Sequence, residues 1–241
     1  MNPNRVRDFY NKYTDTFIKY YGNVLQTYSS KNKNEYLKYL LKSIGINNNM
    51  NILDIGSGVC GPSIYFAKKK KVYIDCLNIS EYQVQLSKAN ITANKLNEQI
   101  RIFQMNFEEI DKILLREKYD LIYFIESLGH SIKYIEVINE ISSLIKKDGI
   151  LYIKDQFYIN DLIRINNNSY IKEIESIFNY QPIFLHKLIQ TLYESNFKIE
   201  FIKELNLNTD IKALDGFLSE LNFKDDKIIT AQWLEIKAIK L

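Results

Sequence analysis

Cysteine is scarce in this chain, with two residues, Cys60 and Cys76, among 241. Two thiols make no disulfide framework, which excludes a small cross-linked secreted scaffold and predicts reduced thiols in a cytoplasm. Long apolar runs are missing too. No stretch reaches the roughly 18 uninterrupted apolar residues of a membrane span, so none is expected. The start, Met1-Asn2-Pro3-Asn4-Arg5, is polar and no apolar stretch follows it, so no secretory signal is expected. Neither sign of charge is in large excess. Lys and Arg number 32 against 29 Asp and Glu, a net +3, too mild to mark a nucleic-acid binder. The densest basic run, Lys68-Lys69-Lys70-Lys71, falls where a helix is expected to end, and cations there offset the negative end of the helix dipole.

What is present is an ordinary globular composition, 46% hydrophobic and 25% charged. The length of 241 residues suits one large α/β domain or a core with a small attachment. Helical spacing of Val6, Phe9, Tyr10, Tyr13, Phe17 and Tyr20 predicts an amphipathic helix over 5–21. A second helix is expected over 33–44. Such an aromatic stripe fits core packing, and equally a lid over a pocket. From residue 51 the pattern alternates. Strands are expected at 51–55, 72–77, 100–104, 119–125 and 149–155, and helices at 62–70, 81–97 and 132–145. Ser80 is placed to cap the second of these helices. Strands alternating with helices imply right-handed crossovers and a mainly parallel, doubly wound sheet. Residues 159–185 read as an irregular polar insertion. A helix at 186–195, a strand at 197–205, a helix near 210–221 and a last, antiparallel strand at 229–239 complete the reading.

Glycine is sparing as well, at eight residues, yet Gly56, Gly58 and Gly61 lie within six positions. They follow a strand and open a helix at Pro62, in the spacing G-x-G-x-x-G. Glycines let the chain turn sharply and a ligand approach closely, and a helix N-terminus favours an anionic group. Dinucleotide oxidoreductases share this spacing, so the spacing alone leaves the nucleotide open. Asp54 bears on the choice. A fixed carboxylate just before the first glycine repels a pyrophosphate and suits a ligand bearing a sulfonium and an α-amino group.

Leu53-Asp54-Ile55-Gly56-Ser57-Gly58, read on to Gly61, resembles the first motif of the class I S-adenosylmethionine-dependent methyltransferases, and the likeness runs from about 51 to 158. Asn78-Ile79-Ser80 followed by Gln83 resembles the T-L-S-x-x-Q form of the tocopherol-type, prenyl-diphosphate C-methyltransferase and cyclopropane-synthase-like branch. The resemblance implies a Rossmann-like methyltransferase sheet with an N-terminal helical lid, and S-adenosylmethionine as cofactor. It implies cofactor contacts from Asp54, Gly56, Ser57, Gly58, Asn78, Ile79 and Gln83, the last of which also fits a solvated helix face. It adds Asn106 and Phe107 after the third strand, Ile125 at the end of the fourth, and Tyr28 and Ser29, which resemble a cofactor-touching segment of the cyclopropane synthases. Two departures stand out: the acids expected for the ribose hydroxyls and the adenine amino group are the amides Asn78 and Asn106. Asp75 lies nearby but is expected inside its strand.

The fourth strand ends in Ile125-Glu126-Ser127-Leu128-Gly129-His130, similar to the branch's E-S-x-E-H segment. That likeness implies Glu126 and His130 as catalytic and substrate-facing residues, either of which suits the role of proton acceptor. A helix-cap or core role for His130 stays open, and His186 reads as structural. Gly129 stands where the second carboxylate would be, which argues against cyclopropane formation. No N/D-P-P-Y pattern occurs, which argues against a nucleic-acid or glutamine target. Tyr20 and Tyr21 are further candidates for the acceptor's surroundings. The expected partner is a small molecule, with no nucleic acid, membrane or metal. The rival expectations are an NAD(P)-dependent oxidoreductase and a non-catalytic protein of methyltransferase fold. The organisation implied is one domain over 1–241, with a lid at 1–45, a cofactor-binding core at 46–158, an insertion at 159–185 and the rest of the sheet at 186–241.

Overall fold

A computed structural model describes residues 2–112, 118–159, 176–205, 207, 209–221 and 231–241. The short apolar runs become strands Asn51–Ile55 (β1), Tyr73–Asn78 (β2), Ile100–Gln104 (β3), Tyr119–Ile125 (β4) and Ile145–Tyr158 (β5). They are joined in parallel, and Ala231–Lys240 (β8) runs antiparallel between β5 and Phe197–Glu204 (β7). The strand order is β3-β2-β1-β4-β5-β8-β7, with the two-residue Ile183–Phe184 (β6) beside the end of β5. This is the expected doubly wound sheet with its antiparallel last strand.

Strands buried on both faces read as continuous apolar runs because helices cover each side. In β4, Ile122 and Phe124 join the core under Tyr134–Leu144 (α5) and Leu185–Glu194 (α6). Leu121, Tyr123 and Ile125 face the opposite core, with Lys33–Ile44 (α2), Gly61–Lys69 (α3) and Glu81–Ala93 (α4). The alternation is the pleat's period of two.

Pro3–Tyr21 (α1) and Ile211–Glu220 (α7) pack together outside the sheet through Phe9, Phe17, Tyr21, Phe217 and Leu221. Polar residues fasten α1 to α4. Asn11 Oδ1 accepts from the Ser80 hydroxyl at 2.6 Å, and Tyr82 donates to Asp15 at 2.8 Å.

Most element boundaries fall within a few residues of expectation. Ser80 does cap α4, accepting from the Gln83 amide at 3.1 Å. That helix stops at Ala93 rather than 97 because the Asn94 side chain turns back to donate to the Asn90 carbonyl, and Lys95 adopts a positive φ. Strand β5 is longer at both ends than the apolar run alone suggests. It carries Lys154 and Asp155 fully buried. The insertion read over 159–185 needs correcting at its end, where Ile183–Phe184 is a strand and Leu185 opens α6. Residues 160–175 lie outside the described residues.

Candidate functional site

Two adjoining cavities open at the carboxyl ends of β1, β2 and β4, where open α/β sheets place ligands. The larger, about 680 Å³ counted out to its mouth, is lined by Gly56, Gly58, Asn78, Ile79, Gln83, Asn106, Phe107, Ile125, Glu126 and His130, under Val6, Tyr10 and Leu25. The smaller, about 320 Å³, shares Leu25, Gly56, Gly58 and Ile125 with it and adds Asp54, Ser57 and Gln26. Sequence positions spread from 54 to 130 thus meet in one place. The strand ends put them there.

The turn after β1 holds Gly56 at φ +80 and Gly58 at φ +55, conformations a side chain strains. A Cβ on Gly56 would strike the Ser127 side chain at 2.4 Å. On Gly58 it would only graze Leu25 at 3.4 Å, so Gly58 is the position where a side chain would project into the cleft. The chain segment after α1 lies directly over the turn. A Cβ on Gly61 would meet the Asn23 carbonyl oxygen at 1.9 Å.

Asp54 is buried, and its carboxylate accepts from the Ser63 hydroxyl at 2.5 Å, which in turn meets the Tyr123 hydroxyl at 2.7 Å. Burial raises its pKa to about 6, against the opposing pull of those hydroxyls. Among the described residues no cation is paired with it. Asp75, by contrast, sits inside β2 under a two-pronged Arg101 grip (2.7 and 2.8 Å) and the Tyr119 hydroxyl (2.7 Å), a structural role.

Asn78 uses its amide locally. Its Nδ2 donates to the Gly58 carbonyl (2.9 Å) and Gln83 Oε1 (2.7 Å), while Oδ1 accepts from Ser80 N (2.8 Å). Gln83 Nε2 donates onward to Thr14 of α1 at 2.9 Å, so it is buried rather than solvated. Asn106 Oδ1 accepts from Glu108 N at 3.0 Å, and the Phe107 ring meets Phe124 edge-on at 6.0 Å.

Glu126 follows β4 at φ +55. Its Oε1 is ion-paired with Lys154, and its Oε2 accepts from Thr27 N (2.8 Å), Thr27 Oγ1 (2.9 Å) and Tyr28 N (3.4 Å). His130 Nδ1 lies 2.9 Å from the Asn179 carbonyl and Nε2 lies 2.7 Å from the Tyr10 hydroxyl. A carbonyl only accepts, so the proton is assigned to Nδ1, and the neutral ring accepts from Tyr10 at Nε2. Burial lowers the ring's pKa to about 4, outweighing the bond to Asn179 and the nearby charge of Glu126. Burial likewise raises the Tyr10 hydroxyl, with Glu126 and Asp155 adding to it.

The remaining candidates are placed apart from these cavities. Tyr28 stacks on Trp233 with ring centres 5.0 Å apart and donates to the Leu205 carbonyl at 2.8 Å. Ser29 is buried and donates to the Gln26 carbonyl. The Tyr20 hydroxyl donates to Glu220 at 2.7 Å, in the seam between α1 and α7. Tyr21 packs against Phe17 and Phe217. His186 lies at the start of α6 beside Phe184.

Several residues at the site escape sequence reasoning. Tyr10 reads only as part of an aromatic stripe. Asn179 and Tyr180 fall in what reads as an insertion, yet Asn179 holds His130. Tyr180 explains Gly129, since a Cβ there would meet the Tyr180 ring at 2.3 Å. Asp155 accepts from Tyr180 and, at 3.1 Å, from the Gly129 amide, and burial raises its pKa to about 6. The one available signal was Lys154-Asp155, two charges inside an apolar strand. Among the described residues no helix is long and apolar enough to cross a membrane.

A family model described as a methyltransferase domain matches residues 46–212. The sterol 24-C-methyltransferase of Clavispora lusitaniae is 26% identical over 217 residues, covering 86% of this chain and 56% of that protein. The sarcosine/dimethylglycine N-methyltransferase of Aphanothece halophytica is 31% identical over 104 residues, 43% of this chain and 37% of that one. The chain spans about a third to just over half of the length of such curated relatives. The crystal structure of the [4+2]-cyclase SpnF superposes with a TM-score of 0.81 at 13% identity, covering 100% of this chain and 97% of that one, a likeness of fold.

Proposed function

Because the chain belongs to the methyltransferase-domain family, we propose that it moves a methyl group from S-adenosylmethionine to an N, O or C nucleophile of a small molecule. The observation that carries this reading is Asp54, a buried carboxylate that lines the cavity beside the glycine turn and is held, among the described residues, by the Ser63 and Tyr123 hydroxyls. A cationic ligand group arriving there gains a partner, whereas the pyrophosphate of a nicotinamide dinucleotide would be repelled. The relatives' names support small acceptors, a sterol carbon in one and a sarcosine nitrogen in another.

The residues present fit the cofactor. Gly58 leaves a cradle that a side chain would fill, Asp54 suits the α-amino group, and Asn78, Ile79, Asn106 and Phe107 line the nucleoside side. Bound there, S-adenosylmethionine supplies a methyl activated by its sulfonium. The protein's share is alignment and the exclusion of water. Leu25 and Val6 cover the cleft, and Glu126 borders the acceptor side.

For a nucleophile that sheds a proton, the Tyr10–His130 pair is the better placed acceptor. Tyr10 lines the cleft, and its hydroxyl can pass its own proton to His130 Nε2 as it accepts one. A neutral imidazole of low pKa is a weak base, suited to a substrate proton that becomes acidic only as the methyl arrives. Glu126, with both oxygens engaged, is assigned to positioning rather than to proton transfer. The same reading treats 1–241 as one domain with 1–45 as its lid, and places it in a cytoplasm, which suits two buried free thiols. A screen of candidate acceptors by mass spectrometry tests it. A gain of one methylene that depends on S-adenosylmethionine is expected, and methylation of no small molecule alongside intact cofactor binding would refute the activity.

A further inference from the structure

The proposed cofactor site is roofed by the segment from Gly22 to Ser30, and that segment is irregular. Among the described residues it has no strand partner along its length beyond one bridge from Ser30 to Thr209. It runs over the glycine turn, with Asn23 against Gly61 and Leu25 against Gly58. An irregular strap of this kind needs side chains to hold it down, because its own backbone bonds are few.

Two charged side chains grip the strap at Thr27 and Tyr28, beside the bonds of Tyr36 to Gln26 and of Tyr28 to the Leu205 carbonyl. Glu126 accepts from Thr27 N, Thr27 Oγ1 and Tyr28 N. Lys154, on the neighbouring strand β5, donates to the Tyr28 carbonyl at 2.6 Å and is ion-paired with Glu126. The lysine side chain is 0% exposed and that of Glu126 8%. The ammonium is enclosed by the rings of Tyr36 (5.1 Å), Trp233 (5.4 Å) and Tyr28 (5.8 Å). Burial lowers the lysine's pKa and the adjoining Glu126 opposes this. A lysine desolvated this thoroughly is costly unless paired. Its donors serve the strap and the carboxylate that grips the strap.

We propose that Lys154 is a positioning residue for the cofactor site, holding the strap over the glycine turn directly at Tyr28 and, through Glu126, at Thr27. The inference rests on the reading that S-adenosylmethionine binds under that strap. Lys154 touches neither cavity; it acts through Glu126 and the Tyr28 backbone. Cofactor and product exchange then require these contacts to part, so the pair sets how long the cofactor stays.

The test uses Lys154→Met, which keeps an unbranched chain in the aromatic box and removes the charge. Hydrogen exchange of the Thr27 and Tyr28 amides, in protein without ligand, reports the strap without reference to any cofactor. Both amides are expected to exchange at least about tenfold faster than in the wild type, the worth of charge-assisted bonds, while amides of β1 and β4 stay protected. Release of S-adenosylhomocysteine, followed through Trp233, the chain's one tryptophan, is expected to quicken at least about tenfold. In turnover, the KM for S-adenosylmethionine should rise more than kcat falls. Should Lys154→Met fail to fold, Glu126→Gln/Lys154→Met removes both buried charges and is expected to fold yet still release S-adenosylhomocysteine faster. Unchanged exchange at 27 and 28, or unchanged release from a variant that binds, overturns the proposal. Absence of S-adenosylhomocysteine binding by the wild type would instead overturn the cofactor reading beneath it.

Discussion

Affinity for S-adenosylmethionine should depend on pH through Asp54. Burial raises this carboxyl to about 6 in the free protein. An arriving cation favours the ionised form, so binding must supply the ionisation wherever the group starts protonated. Well above pH 6 Asp54 is already a carboxylate and affinity is flat. One unit below, roughly a tenth of the molecules carry it ionised, and affinity falls about tenfold, which is ~1.4 kcal/mol. The direction is fixed: tighter binding as pH rises through about 6, then a plateau. Calorimetric titrations across about pH 5 to 8 check it, with Asp54→Asn as the control that should bind weakly and without the slope. S-adenosylhomocysteine, which keeps the α-amino group but lacks the sulfonium, should show the same slope if the amino group is the partner. Affinity independent of pH in the wild type would refute the reasoning. So would a slope surviving in Asp54→Asn, which would shift the origin to Asp155, also raised to about 6.

The other expectations concern the turn, the amide and the proton path. Gly61→Ala places a methyl 1.9 Å from the Asn23 carbonyl oxygen, so the strap must move; thermal unfolding should show a loss of at least about 1 kcal/mol, together with weaker cofactor binding. Asn78→Asp would set a carboxylate oxygen against the Gly58 carbonyl where an amide N–H now donates, and calorimetry should find cofactor binding weaker by about tenfold, as a lost bond with an unpaired acceptor implies. Tyr10→Phe and His130→Ala should each lower single-turnover methyl transfer by about a hundredfold or more at saturating cofactor if the acceptor sheds a proton, with little change in cofactor affinity. Turnover equal to the wild type's in both variants would leave alignment as the mechanism.

Much of the parallel sheet is legible in the chain because β1, β2 and β4 are short, mainly apolar runs, and Ser80 after β2 marks the start of α4. The glycine turn and Asp54 are legible for the same reason, being consecutive. The acceptor side is less so. Tyr10 and His130 meet across 120 positions and His130 and Asn179 across 49, and no local pattern encodes such a meeting. The strap has no periodicity, since its bonds go to Glu126 and Lys154 rather than to a ladder. Gly129 reads as a missing carboxylate until Tyr180 is seen packed against it. Asn78 reads as a weakened acid, whereas its two amide donors tie the turn to Gln83, which only an amide can do.

The ligand held by the Gly56–Gly61 turn decides the function. Calorimetric titration of the wild type and Gly58→Val with S-adenosylmethionine, and with reduced nicotinamide dinucleotide, measures this directly. The prediction is that S-adenosylmethionine binds the wild type, that the nicotinamide does not, and that Gly58→Val keeps its fold by circular dichroism while losing the cofactor. Equal affinity for S-adenosylmethionine in the two proteins, or binding of the nicotinamide dinucleotide in its place, would contradict it.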